Sequence, residues 1–150
     1  MSAQEPQDYF GQTLAVRARG AIVLAVHAVV PSDEEWLTAI GIVSSLQESH
    51  GLVNVIAVSL NGDAMPTTQQ RTIVTSRVDA HRVRIALVGG GRAMRMVVKA
   101  FSLFYPQTRA FALEAIDGAL AFASVPDLRQ ARKDLGVLVQ HFGSPLPLAG

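Results

Sequence analysis

Three short apolar runs constrain this chain more than anything else in it. Residues 21–30, 53–60 and 83–88 are rich in Val, Ile, Leu and Ala, and the first is interrupted only by His27. Runs of this kind do not alternate polar with apolar. They read as strands covered on both faces. None approaches the roughly 20 residues needed to span a bilayer. Between them lie segments with helical apolar spacing. Strands alternating with helices imply a largely parallel sheet with helix cover.

The remaining elements follow from local signals. Residues 1–11 read as a polar lead-in. Leu14, Val16 and Ala18 then alternate with Thr13, Ala15, Arg17 and Arg19, which predicts a half-exposed strand ended by Gly20. Ser32 is placed to cap a helix, with Glu35 completing a capping box and Asp33 and Glu34 at the positive end of the dipole. Trp36, Leu37, Ile40, Val43 and Leu46 give that helix one apolar face, and Gly51 stops it after His50. A second helix starts near Pro66 and carries Ile73, Val74 and Val78. A third starts at Arg92, buries Met94, Val97, Val98, Phe101 and Phe104, and ends before Pro106. A strand over 109–113, a helix over 115–123 and a final helix over 126–142 complete the order. Pro126 is expected in the first turn of the last helix. The tail from Gly143 reads as extended.

The expected fold class is α/β, with a single mixed, mostly parallel sheet of about five strands flanked by helices. One domain spans 1–150, with its core over 13–123 and an extra C-terminal helix. That helix has an apolar face of Leu128, Ala131, Leu135, Leu138, Val139 and Phe142. Such a face either packs on its own domain or offers Leu128, Leu135, Leu138 and Phe142 to a dimer or partner.

Composition narrows the function classes. Apolar residues make up 49% of the chain and charged residues 17%, enough for a substantial core. The net charge of +1 lacks the basic excess of a nucleic-acid binder. Absent cysteine removes disulfides, thiolate zinc sites and cysteine nucleophiles. The N-terminus has no basic segment followed by an apolar run, so no signal peptide is expected. The expected location is the cytoplasm.

No catalytic set emerges. His27, His50, His81 and His141 form no pair at helical ligand spacing, so no metal is expected. There is no nucleophile elbow, and Asp63, Asp79 and Asp117 have no spacing that pairs them with a histidine. No cofactor is expected either. Gly89, Gly90, Gly91 and Arg92 join a strand to a helix. They form a tight turn or, with Arg95, an anion site, but they match neither dinucleotide nor P-loop strings. Thr67 and Thr68 stand where a helix begins, as caps or as phosphoacceptors.

From Thr13 to Ala123, about 110 of the 150 residues, the order and spacing of elements resemble the STAS domain of anti-sigma-factor antagonists and sulfate-transporter tails. Residues 53–60 fall where the family has the strand before its phosphoacceptor turn, and Thr67-Thr68 fall near its Ser or Thr. Residues 83–89 resemble the next strand with its glycine, and residues 111–120 the closing strand and helix. The family commonly shows Asp-Ser-Ser-Gly or Asp-(Ser/Thr)-x-Gly at the turn; here the string is Met65-Pro66-Thr67-Thr68-Gln69. A divergent STAS-like branch that lacks the motif includes small proteins connected with lipid binding.

The resemblance implies a non-enzymatic protein-interaction module of a bacterial signalling or regulatory pathway. Its docking surface would comprise Asn61, Gly62, Asp63, Thr67, Thr68, Gly89, Gly90, Gly91 and Arg92, and its partner would be another protein or a second copy. The alternative is a module holding a small apolar ligand or lipid between helices and sheet.

Overall fold

The chain forms one six-stranded sheet in sequential order. The computed structural model describes residues 6–62 and 64–143. Strands β1 (Gln7–Phe10), β2 (Ala15–Arg19) and β3 (Ile22–His27) pair antiparallel; β4 (Val53–Ser59), β5 (Val83–Val88) and β6 (Thr108–Phe111) continue from β3 in parallel. The three apolar runs are thus the three central strands. Their register is continuous: Val23 pairs with Val55, and Val55 with Ile85.

Helices α1 (Asp33–His50), α2 (Thr68–Arg77) and α3 (Arg92–Phe104) connect β3 to β4, β4 to β5 and β5 to β6. Each crossover steps in the same direction along the sheet. Because parallel crossovers share one hand, all three helices fall on one face. There Ile40, Val43, Val74, Met94, Val97 and Phe101 form a core with Leu14, Val23, Ile85 and Leu87. Helices α4 (Ile116–Phe122) and α5 (Leu128–His141) cover the opposite face, where Leu120, Leu135 and Leu138 meet Leu24, Ile56 and Ala86.

Local signals account for most helix ends. Gly51 closes α1 with φ +79°, its N–H donating to Gln47 O. Thr67 caps α2 with a complete capping box: its hydroxyl accepts from Gln70 N–H, and Gln70 Oε1 accepts from Thr67 N–H, both at 3.1 Å. Two buried glutamines then tie helices together. Gln70 donates to Pro31 O at 2.7 Å and Asp33 Oδ1 at 3.0 Å, while Gln47 donates to Asp79 O and Arg82 O.

Several expectations need correction. Residues 7–10 are not a loose lead-in but an edge strand, which raises the count from about five to six. Four residues are too few for a visible period, and what holds them is non-local: Asp8 lies opposite Arg17 and pairs with it at 2.8 Å. Strand β2 is covered on both faces rather than half-exposed, because α5 lies over Ala15 while the other face buries Val16. The box at Ser32 is only half formed. Ser32 Oγ accepts from Glu35 N–H, but the Glu35 carboxylate is taken by Thr13 N–H and Oγ1 instead of Ser32 N–H. Pro126 precedes the last helix, which Asp127 caps through Gln130 N–H. Phe104, the last residue of α3, is exposed rather than part of the buried face.

Candidate functional site

The carboxyl ends of β3, β4 and β5 meet at one edge of the sheet, where open α/β folds gather their loops. Two of the expected loops touch there. A Cβ at Gly62 would lie 2.4 Å from Gly90 O, so only glycine permits this approach, and Gly91 sits opposite at φ +99°. Ser59 Oγ, just beneath, donates to Asn61 O at 2.5 Å and lies 3.3 Å from Ala64 O. Asp63 lies outside the described residues.

Thr67 and Thr68 have different roles. The Thr67 hydroxyl is engaged in the cap, whereas Thr68 is exposed and its Oγ1 accepts from Arg71 Nη2 at 3.1 Å. Arg71, also held by Pro66 O at 2.7 Å, was not among the expected residues. Its spacing of three from Thr68 on one helix was the available signal. Arg92 is exposed and makes no hydrogen bond or ion pair among the described residues.

The C-terminal candidates separate by burial. Leu135 and Leu138 have no accessible surface and form the core under α5, so neither can meet a partner in this fold. Phe142 is half-buried against the same cluster, and only Leu128 is exposed. The helix packs on its own domain.

Beneath the loops lies a feature that no single stretch of sequence marks. A cavity of about 90 Å³ separates the sheet from α1, α2 and α3. Ala25, Val55 and Ala57 line it and retain accessible surface although they sit in the middle of the sheet. Its walls are apolar, including Trp36, Met65, Met94 and Phe101, and its polar side chains are His27 and Ser59. These two are register partners at the ends of β3 and β4, directly below the loop edge.

The state of His27 follows from its contacts. Nδ1 lies 3.0 Å from Val29 O, and a carbonyl only accepts, so Nδ1 carries the proton. Burial pushes the imidazole pKa below its ordinary value, outweighing the Val29 contact that favours the cation. The ring is therefore neutral at pH 7, and Nε2 is an acceptor without a hydrogen-bond donor among the described residues. The Trp36 indole N–H is already committed to Gln70 O at 2.9 Å.

Among the described residues, no group of three or more His, Cys, Asp or Glu is arranged to hold a metal ion, and no helix is long and apolar enough to cross a membrane. No protein-family model, curated protein or solved structure matches the chain. The α/β architecture, a six-stranded mixed sheet flanked by five helices, is compatible with a STAS-like fold.

Proposed function

We propose that this chain is a divergent, non-enzymatic STAS-like module of the bacterial cytoplasm, and that it binds a small apolar molecule carrying one hydrogen-bond donor. The observation that carries this reading is the apolar cavity lined by His27, whose Nε2 has no hydrogen-bond donor among the described residues. Filling 90 Å³ of apolar space is worth at most roughly 2 kcal/mol at about 24 cal/mol per Å³. A ligand that fills it gains that contact, and a donor meeting Nε2 gives the free ring nitrogen a partner.

Pyrrole and furan test the reading, because they are rings of similar size and only pyrrole has an N–H donor. Pyrrole is expected to raise the melting midpoint more than furan. Ala57→Ile, which fills the cavity from β4, is expected to abolish both shifts. Equal shifts remove the role of His27. No shift with either ring, or shifts that survive Ala57→Ile, overturn the cavity as the site.

Protein docking at the loop edge is the second reading, favoured by the exposed Thr68 hydroxyl held beside the Arg71 guanidinium. A phosphate there would gain charge-assisted hydrogen bonds. Thr68→Glu is expected to alter partner recovery from native lysate while the protein stays folded; unchanged recovery counts against it.

A further inference from the structure

Charge in this molecule is segregated. Helices α2 and α3 together carry Arg71, Arg77, Arg92, Arg95 and Lys99 and no acidic residue. The whole chain has 13 basic and 12 acidic residues, so the rest holds 8 against 12. None of the five cations forms a salt bridge among the described residues. Arg92 and Arg95 even occupy the first turn of α3, where the helix dipole disfavours positive charge, and Gly91 supplies no side-chain cap.

The same face exposes large apolar side chains. Met96 is 73% exposed, Leu103 82% and Phe104 60%, the three most exposed large hydrophobic residues described. On a helix of 3.6 residues per turn, positions 96, 100 and 103 fall in one strip and 92, 95 and 99 in the strip beside it. Phe104 and Ala100 also border a groove against Thr68, Thr72 and Thr75 of α2. The inner face of α3 is already committed to the core through Met94, Val97 and Phe101.

We infer that the α2–α3 face docks on an anionic lipid surface, with α3 lying in the plane of the interface. Adjacent apolar and cationic strips are the composition of interfacial helices: Met96, Leu103 and Phe104 enter the headgroup boundary while Arg92, Arg95 and Lys99 meet lipid phosphates. Negative charge at the surface also relieves the cations stacked at the start of α3. Nucleic acid would match the charge but not the three apolar side chains that stand among it. The inference is independent of the cavity, since none of Met96, Leu103 or Lys99 lines it.

Flotation of the full chain with phosphatidylcholine vesicles, with and without phosphatidylglycerol, tests it. Recovery is expected only with phosphatidylglycerol and is expected to fall as salt rises. Neutralising Arg95 or Lys99 by Gln should weaken binding about fivefold each. Leu103→Asp should abolish it, and circular-dichroism melts should show all three variants folded. No flotation, or equal flotation without anionic lipid, overturns the inference. So does full binding by Leu103→Asp, which would mean adsorption by charge alone, or a shift of duplex DNA by a protein that does not float. Ala57→Ile is expected to float like the wild type, which keeps this outcome separate from that of the ligand reading.

Discussion

Arg17 Nη1 donates to Asp134 Oδ1 at 2.8 Å, joining residues 117 positions apart and fixing α5 to β2. Arg19 adds its own contacts to the same carboxylate at 3.0 and 3.1 Å, and Gln130 another at 3.1 Å. Asp134 is buried, whereas both arginines keep some exposure. Burial pushes the carboxyl pKa up, but Arg19, Arg17 and Gln130 together hold it below the ordinary value. Asp134→Ala leaves Arg19 without a carboxylate partner beneath α5, while Arg17 keeps Asp8. It should destabilise the fold by about 2 kcal/mol in urea titration, the scale of lost hydrogen bonds to a charged group. The wild-type advantage should be present above the ordinary carboxylate pKa of 3.8 and disappear as pH falls below it. A variant with an unchanged midpoint would mean that the cluster contributes nothing net.

A tyrosine holds the other end of the helical layer. The Tyr105 hydroxyl, after α3, lies 2.9 Å from Val74 O and 3.0 Å from Val78 O, sharing its proton between the last carbonyls of α2. Burial pushes its pKa up to about 12. Tyr105→Phe removes the hydroxyl donor from both carbonyls, of which Val74 O keeps the Val78 N–H at 2.8 Å, and should cost about 1–2 kcal/mol in denaturant unfolding. The phenol stays neutral in the folded state while the unfolded chain ionises near 10. Wild-type stability should therefore fall as pH rises above 10, and the phenylalanine variant should lack that component.

Sequence legibility followed the range of the interaction. The three central strands were readable because continuous Val, Ile and Leu runs declare burial on both faces without reference to anything else. The ends of α1 and α2 were readable in Ser32, Gly51 and Thr67, whose partners lie within four residues. Strand β1 was not, because Asp8 is held by Arg17 across the sheet. The Glu35 box failed for the same reason: a hydroxyl 22 positions away, on Thr13, captured its carboxylate. The loop edge was legible from topology, since parallel strands gather their carboxyl ends. The cavity was not. It arises where Ala25 and Ala57 stand opposite helices that do not fill the space, and three-dimensional volume has no local sequence signal.

Gly62 offers a sharp test of the loop edge. Gly62→Ala would place its methyl 2.4 Å from Gly90 O, a backbone atom that cannot turn aside. Forcing that separation should cost about 1–3 kcal/mol, the range for overpacking. Amide exchange should increase at 60–62 and 89–91 and stay unchanged in β1 and α5. Gly90→Ala meets nothing within 4 Å and serves as the matched control. Equal behaviour of the two variants would show that the loops do not rest on each other.

His27 links the cavity to pH. Its ring is buried and neutral, and its pKa is held below the ordinary imidazole value of 6.5 by desolvation. As pH falls through that value the unfolded chain takes up a proton that the folded chain refuses. The unfolded state then binds more protons, so stability falls with decreasing pH until the folded-state pKa is reached. Stability at successive pH values, compared between wild type and His27→Asn, isolates this contribution. Asparagine keeps a donor for Val29 O but does not titrate. The wild type should lose stability relative to the variant as pH drops from 7 toward 5. At fixed low pH, pyrrole should narrow that gap, because a donor at Nε2 stabilises only the neutral ring. Parallel stability curves for the two proteins would show that His27 does not titrate from a buried state, and the assignment of its Nε2 as a waiting acceptor would fall with it.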